Sequence, residues 1–157
     1  MPKRRFTFVR GGDVKVRIAK EEREVLRGLP AQLRQLMDDD PDDPAVRRLF
    51  PPAYRERPDH EHEYRRLMGE DLRERRLAAL VAMEETVDAE VLTPEQASGW
   101  LRALNDLRLV LGTRLDVKDD TFSEGIADDD PRAPALALYG YLSVLEEELV
   151  EALAKGV

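Results

Sequence analysis

The chain has 157 residues, no cysteine and a net charge of −8, from 25 Lys and Arg against 33 Asp and Glu. The missing cysteine excludes disulfides, thiol nucleophiles, thiolate metal sites and cysteine-based redox switching within these residues. The acidity argues against a protein that coats nucleic acid nonspecifically, because phosphate repulsion opposes it. The length suits one domain, 1–157, with one core. No segment has the apolar length of a signal-peptide core or a membrane span, so the expected location is the cytoplasm, with no membrane partner.

In chain order, the first expected element is a β-hairpin over 1–18, RFTFVR and VKVRI around GGD. A two-residue Gly11-Gly12 turn would put Phe6 and Phe8 on the opposite face from Val14, Val16 and Ile18. A three-residue Gly11-Gly12-Asp13 loop sets Phe8 opposite Val16 and Phe6 opposite Ile18, so that the apolar residues share one face. We read the second. The other face then shows Arg5, Thr7, Val9, Lys15 and Arg17, and the pair must lean on a helix or another strand to be stable. Its exposed edge also suits pairing with a second copy in a homodimer.

A helical period follows over 20–37, with Val25, Leu26, Leu29, Leu33, Leu36 and Met37 on one side and a break at Gly28 and Pro30. DDDPDD at 38–43 reads as a solvated loop, after which Asp43-Pro44 starts one helical turn. A long helical tract is expected over 59–91. The next helix, 94–114, has the clearest start in the chain: Thr93 as N-cap, Pro94 at the first helical position and Gln96 to close a capping box. Its apolar stripe carries Ala97, Trp100, Leu101, Leu104, Leu107, Leu111 and Leu115. An acidic loop at 116–130 precedes a last helix, 131–154, with Leu138, Tyr141, Leu142, Leu145, Leu149 and Ala152 as its stripe. The fold class expected is mainly α, a helical bundle with an N-terminal β-hairpin.

Few residues point to chemistry. His60 and His62 lie among Asp59, Glu61 and Glu63, but residues two apart on a helix are about 200° apart and cannot share a metal. A solvated helix start is the better reading, and no metal is expected. The acidic loops lack the glycine and terminal glutamate of a calcium loop. Ser98, Ser123 and Ser143 stand in no GxSxG, and there is no nucleotide-binding loop. No catalytic residue and no cofactor is expected.

Two constellations remain. Arg108 falls inside its apolar stripe, while Glu84 and Asp88 lie close to the apolar line of the preceding helix. A buried guanidinium needs a carboxylate, so we expect Arg108 buried against Glu84, with Asp88 as second choice and Asn105 orienting the network. The second is the basic hairpin. Residues 1–20 carry Lys3, Arg4, Arg5, Arg10, Lys15, Arg17 and Lys20 against Asp13 alone, a local excess of +6 that leaves −14 for the remainder. Arg5, Arg10, Lys15 and Arg17 are the expected partner-binding residues, for an acidic protein in preference to DNA, which the acidic body would repel.

LNDLRLVLGTRL at 104–115, LFPPAYRERP at 49–58 and DLRERRL at 71–77 resemble a small actinobacterial family of uncharacterised domains. Some of its members carry the name AosR, an oxidative-stress transcriptional regulator. The resemblance covers nearly the whole chain. It implies a cytoplasmic, mainly helical, non-enzymatic regulatory or adaptor protein that acts through protein contacts, with the transcription machinery as one candidate partner. DNA binding through the basic hairpin is the alternative. The name also implies thiol redox sensing, from which a chain without cysteine departs.

Overall fold

The computed structural model describes residues 4–50, 58–118, 120–122 and 125–156, and over 58–70 the backbone alone. The elements run β1 (Phe6–Phe8), β2 (Val14–Val16), α1 (Lys20–Arg27), α2 (Leu29–Asp39), α3 (Pro44–Arg47), α4 (Pro58–Glu85), β3 (Val91–Leu92), α5 (Pro94–Arg114) and α6 (Ala133–Ala154). The fold is mainly α with an N-terminal hairpin.

The hairpin keeps its apolar residues on one face, as the alternation requires, but in a different register. Phe6 pairs with Val16 and Phe8 with Val14. The three-residue loop is Arg10-Gly11-Gly12, one position earlier than expected. Gly11 and Gly12 take φ of 103° and 101°, where L side chains are strained. Asp13 is drawn into the closing pair, its carbonyl accepting from the Val9 amide at 2.8 Å. A shift of two positions conserves side-chain parity, so Phe6, Val14 and Val16 are buried together.

A third strand completes the sheet, in the order β1-β2-β3, all antiparallel. It comes from residues assigned to the end of the long helical tract. That helix stops at Glu85, where the Thr86 hydroxyl donates to the Ala82 carbonyl at 2.5 Å and accepts from the Trp100 indole at 2.7 Å. The β-branched pair Thr86-Val87 disfavours continuation. The chain then runs extended, and Val91, at the end of the expected helical tract, is 48 % exposed in a strand. β3 covers the second side of β2, so β1 and β3 are the sheet's edges, with β1 beside α6.

α5 is the central helix, and its capping box is complete: the Gln96 amide donates to Thr93 Oγ1 at 3.2 Å and the Thr93 amide to Gln96 Oε1 at 3.0 Å. It packs most extensively on α4 and α6. Trp100 lies fully buried beneath the sheet, edge-on to Phe6 at 6.1 Å between ring centres. α1 and α2 divide at Gly28, and Asp43 caps α3 by accepting from the Ala45 amide at 2.8 Å. α6 starts at Ala133, two residues later than expected, because Asp130 Oδ1 accepts from the Arg132 amide and holds Pro131-Arg132 in a turn.

Candidate functional site

Sheet alternation puts Phe6, Val14 and Val16 inward, and therefore Thr7, Val9, Lys15, Arg17 and Val91 outward. Thr7, Lys15 and Val91 form one row across the three strands. Val9 and Val91 are both exposed, at 39 % and 48 %. Arg10, in the loop, and Lys15 and Arg17 are exposed as well. Among the described residues, none hydrogen-bonds or ion-pairs with these three cationic side chains. The surface is thus a short basic patch with an apolar residue on either flank.

Arg5 leaves that patch. Its Nε donates to Glu22 Oε1 at 2.8 Å and its Nη1 to Glu148 Oε2 at 2.9 Å. The guanidinium also lies 5.7 Å from the centre of the Tyr141 ring. Arg5 stands just before β1, an edge strand, so its long side chain reaches over the sheet edge to α1 and α6. It ties the hairpin to the helices and is not available to a partner.

The interior network differs from the one expected. Arg108 is 38 % exposed and its Nε lies 3.3 Å from Glu146 Oε2 on α6, not beside Glu84. Glu84 pairs with Arg34 at 2.5 Å. Asp88 lies in the turn after α4, 64 % exposed, and takes both Nη atoms of Arg27 at 2.7 and 2.9 Å. Asn105 is exposed. The reason is the width of the buried face of α5, which packs on both α4 and α6. At about 100° per residue, Ala97, Trp100, Ala103, Leu104, Asp106, Leu107 and Val110 cover an arc of about 180°, and Arg108 falls just outside it.

Asp106 falls inside that arc and is fully buried. It accepts from Arg76 of α4 through Oδ1. The Arg76 guanidinium lies 5.8 Å from the centre of the Phe50 ring. Asp106 Oδ2, Arg76 Nε and Glu146 Oε2 are buried without a hydrogen-bond partner, the contact of Glu146 with Arg108 being an ion pair without hydrogen-bond alignment. The signal for Asp106 was present: Ala103, Asp106 and Val110 share one helical side, next to the chosen stripe.

Burial pushes the Asp106 carboxyl above its ordinary 3.8, against the pull of Arg76. Burial likewise raises Glu146 above 4.5, opposed by Arg108 and helped by Asp106. A carboxyl raised in the folded state contributes stability that is complete below its unfolded pKa and is lost as pH rises through the folded one. Asp43 and Asp88, lowered by the Ala45 amide and by Arg27 respectively, act with the opposite sign. The observable is therefore a difference: unfolding free energy of the wild type minus that of Glu146→Gln should fall as pH rises from 4.5. A difference that stays flat or rises, in denaturant titrations across that range, contradicts the assignment.

Among the described residues, two cavities lie against α5. One, of about 350 Å³, is apolar and lies among α2, α5 and α6, with Leu33, Leu107 and Leu142 in its wall and Arg114 at its side. The other, of about 280 Å³, is polar and lies among the end of α3, α5 and α6, with Arg48, Asn105, Arg108, Thr113, Asp116 and Tyr139 among its lining residues. Among the residues whose side chains are described, no group of three His, Asp or Glu is placed to hold a metal ion. The side chains of His60 and His62 lie outside the described residues. No helix among the described residues is long and apolar enough to cross a membrane.

These features define a small helical domain with a basic sheet face and a charged interior seam. The chain belongs to the family described as domain of unknown function (DUF2017), whose model matches residues 3–153. A relative from Mycobacterium leprae that carries the name AosR is 30% identical over 152 residues, covering 85% of this chain and 67% of its own length. Proteins named "Oxidative stress regulator AosR" from Mycobacterium bovis and Mycobacterium tuberculosis are 30% identical over 127 residues, covering 70% of this chain. The chain spans only 58% of the length of those two relatives. No solved structure matches.

Proposed function

We propose that the chain is a non-enzymatic regulatory protein of the cytoplasm that acts by contact with an acidic protein partner, docked on the outer face of the sheet. The observation that carries this reading is the triad Arg10, Lys15 and Arg17, exposed and without partners among the described residues, beside the exposed Val9 and Val91. On a chain of net charge −8, such a patch attracts an acidic surface while the body repels other acids, which favours one docking orientation. Relatives named as oxidative stress regulators support a regulatory role, and the transcription machinery is the partner class that role implies. Cysteine-based sensing is excluded from these 157 residues by composition.

The test is quantitative capture from native cytoplasm by the wild type and by Lys15→Glu/Arg17→Glu. Both positions are exposed, so the fold should survive unchanged. The double reversal is expected to lower capture of a specific acidic partner at least tenfold, about 1.4 kcal/mol or more. Equal capture by both proteins contradicts the reading. DNA binding through the same cations is the second reading; it requires duplex binding that falls steeply with salt. A homodimer pairing along the β1 edge would show in sedimentation as a dimer that survives the double reversal.

A further inference from the structure

We infer that the polar cavity among α3, α5 and α6 is a binding site for a small oxyanion, a phosphate or carboxylate group, held between Arg48 and Arg108. The inference is independent of the sheet face. Two guanidinium groups line one cavity of about 280 Å³. Arg48 follows α3, is exposed, and has no side-chain partner among the described residues. Arg108 makes a single ion-pair contact, through Nε to Glu146 at 3.3 Å, so neither of its Nη nitrogens is bonded to a described residue. Those free nitrogens present the paired N–H geometry that fits an oxyanion.

The rest of the wall includes Asn105, Thr113, Asp116 and Tyr139. Asn105 lines the cavity beside the guanidinium groups, and Tyr139 closes one side. The Tyr139 ring is held between Gly112, where a Cβ would stand 2.8 Å from its Cε2, and Phe122, stacked at 6.0 Å and 9°. Any side chain at position 112 would displace the ring, so glycine sets the cavity's shape. The one carboxylate in the lining, Asp116, is 81 % exposed and lies 3.5 Å from Lys118 Nζ, which offsets its charge. Glu146 holds Arg108 from the buried side and so keeps the Nη edge free for a ligand.

The experiment is calorimetric titration of the full chain with inorganic phosphate and, separately, with succinate, at ionic strength held constant with sodium chloride. Amide shifts of residues 105–113 serve as a second readout. Saturable binding of at least one probe is expected, with Arg48→Gln weakening it about tenfold or more, the loss of one charge-assisted contact. Arg47→Gln, an exposed neighbour outside the cavity, should leave it unchanged. Because Arg48 has no side-chain partner among the described residues, its variant should unfold at the wild-type temperature. Phosphate binding alone assigns a phosphate group, and succinate binding alone a carboxylate. No saturable binding of either probe, or equal loss in Arg47→Gln and Arg48→Gln, overturns the inference. Neither outcome bears on partner capture by the sheet face.

Discussion

Arg76→Leu is expected to destabilise the protein by about 3–5 kcal/mol, because it leaves the Asp106 carboxylate buried and without its counter-charge. Asp106 has no exposed surface, and its Oδ2 already lacks a hydrogen bond. The carboxyl would then have to take up a proton or draw in water. Asp106→Leu alone should cost less, since the Arg76 side chain is 16 % exposed and its head can turn outward past Phe50. The double change to leucine should recover much of the loss, because an apolar pair has no desolvation penalty. Denaturant midpoints of the three variants decide this. A loss below about 1 kcal/mol in Arg76→Leu would remove the pair from the core.

Trp100→Ala should cost about 3–5 kcal/mol, the range for removing a large buried aromatic. Trp100 touches three parts of the fold: Phe6 of β1 edge-on, Thr86 through its indole N–H, and the core beneath β3. Its loss therefore opens a cavity where the sheet meets the helices. Trp100→Phe keeps most of the apolar contact and gives up the hydrogen bond to Thr86, so it should cost well below the alanine variant. Thermal unfolding of both variants checks the order. Equal losses would mean that the hydrogen bond, and not the packing, dominates this position.

Where the sequence carried local signals, the fold was legible. Thr93-Pro94-Gln96 marked the start of α5 because the cap is made by neighbours in the chain. Gly28 and Asp43-Pro44 likewise divided α1 from α2 and began α3. The inward face of the hairpin followed from alternation, but the register did not: the observed Arg10-Gly11-Gly12 loop keeps the same parity as the expected Gly11-Gly12-Asp13 loop, so alternation cannot tell them apart. β3 was hidden because Val87 and Val91 are four apart, a spacing that also suits a helix.

The candidate site was only half legible, for a related reason. A helix packed on two sides buries about half its circumference, so a stripe centred on one side misjudges the residues at its borders. Arg108 and Asp106 are two residues apart and exchanged roles on that account: the arginine is at the border and the aspartate within. Glu84 and Asp88 found their own arginines, Arg34 and Arg27, on helices whose placement no periodicity reveals. Arg5 was assigned to the outer patch by alternation, and tertiary contacts with Glu22 and Glu148 removed it. Lys15 and Arg17 stayed where alternation put them.

The most direct measurement is the footprint of a partner retained from native cytoplasm, read as amide shifts or hydrogen exchange on the isotope-labelled chain. Changes are expected at Thr7, Val9, Lys15, Arg17 and Val91, weakening as salt is raised. Changes confined to the α2–α5–α6 cavity or to the outer turns of α6, with the sheet amides unmoved, would contradict it.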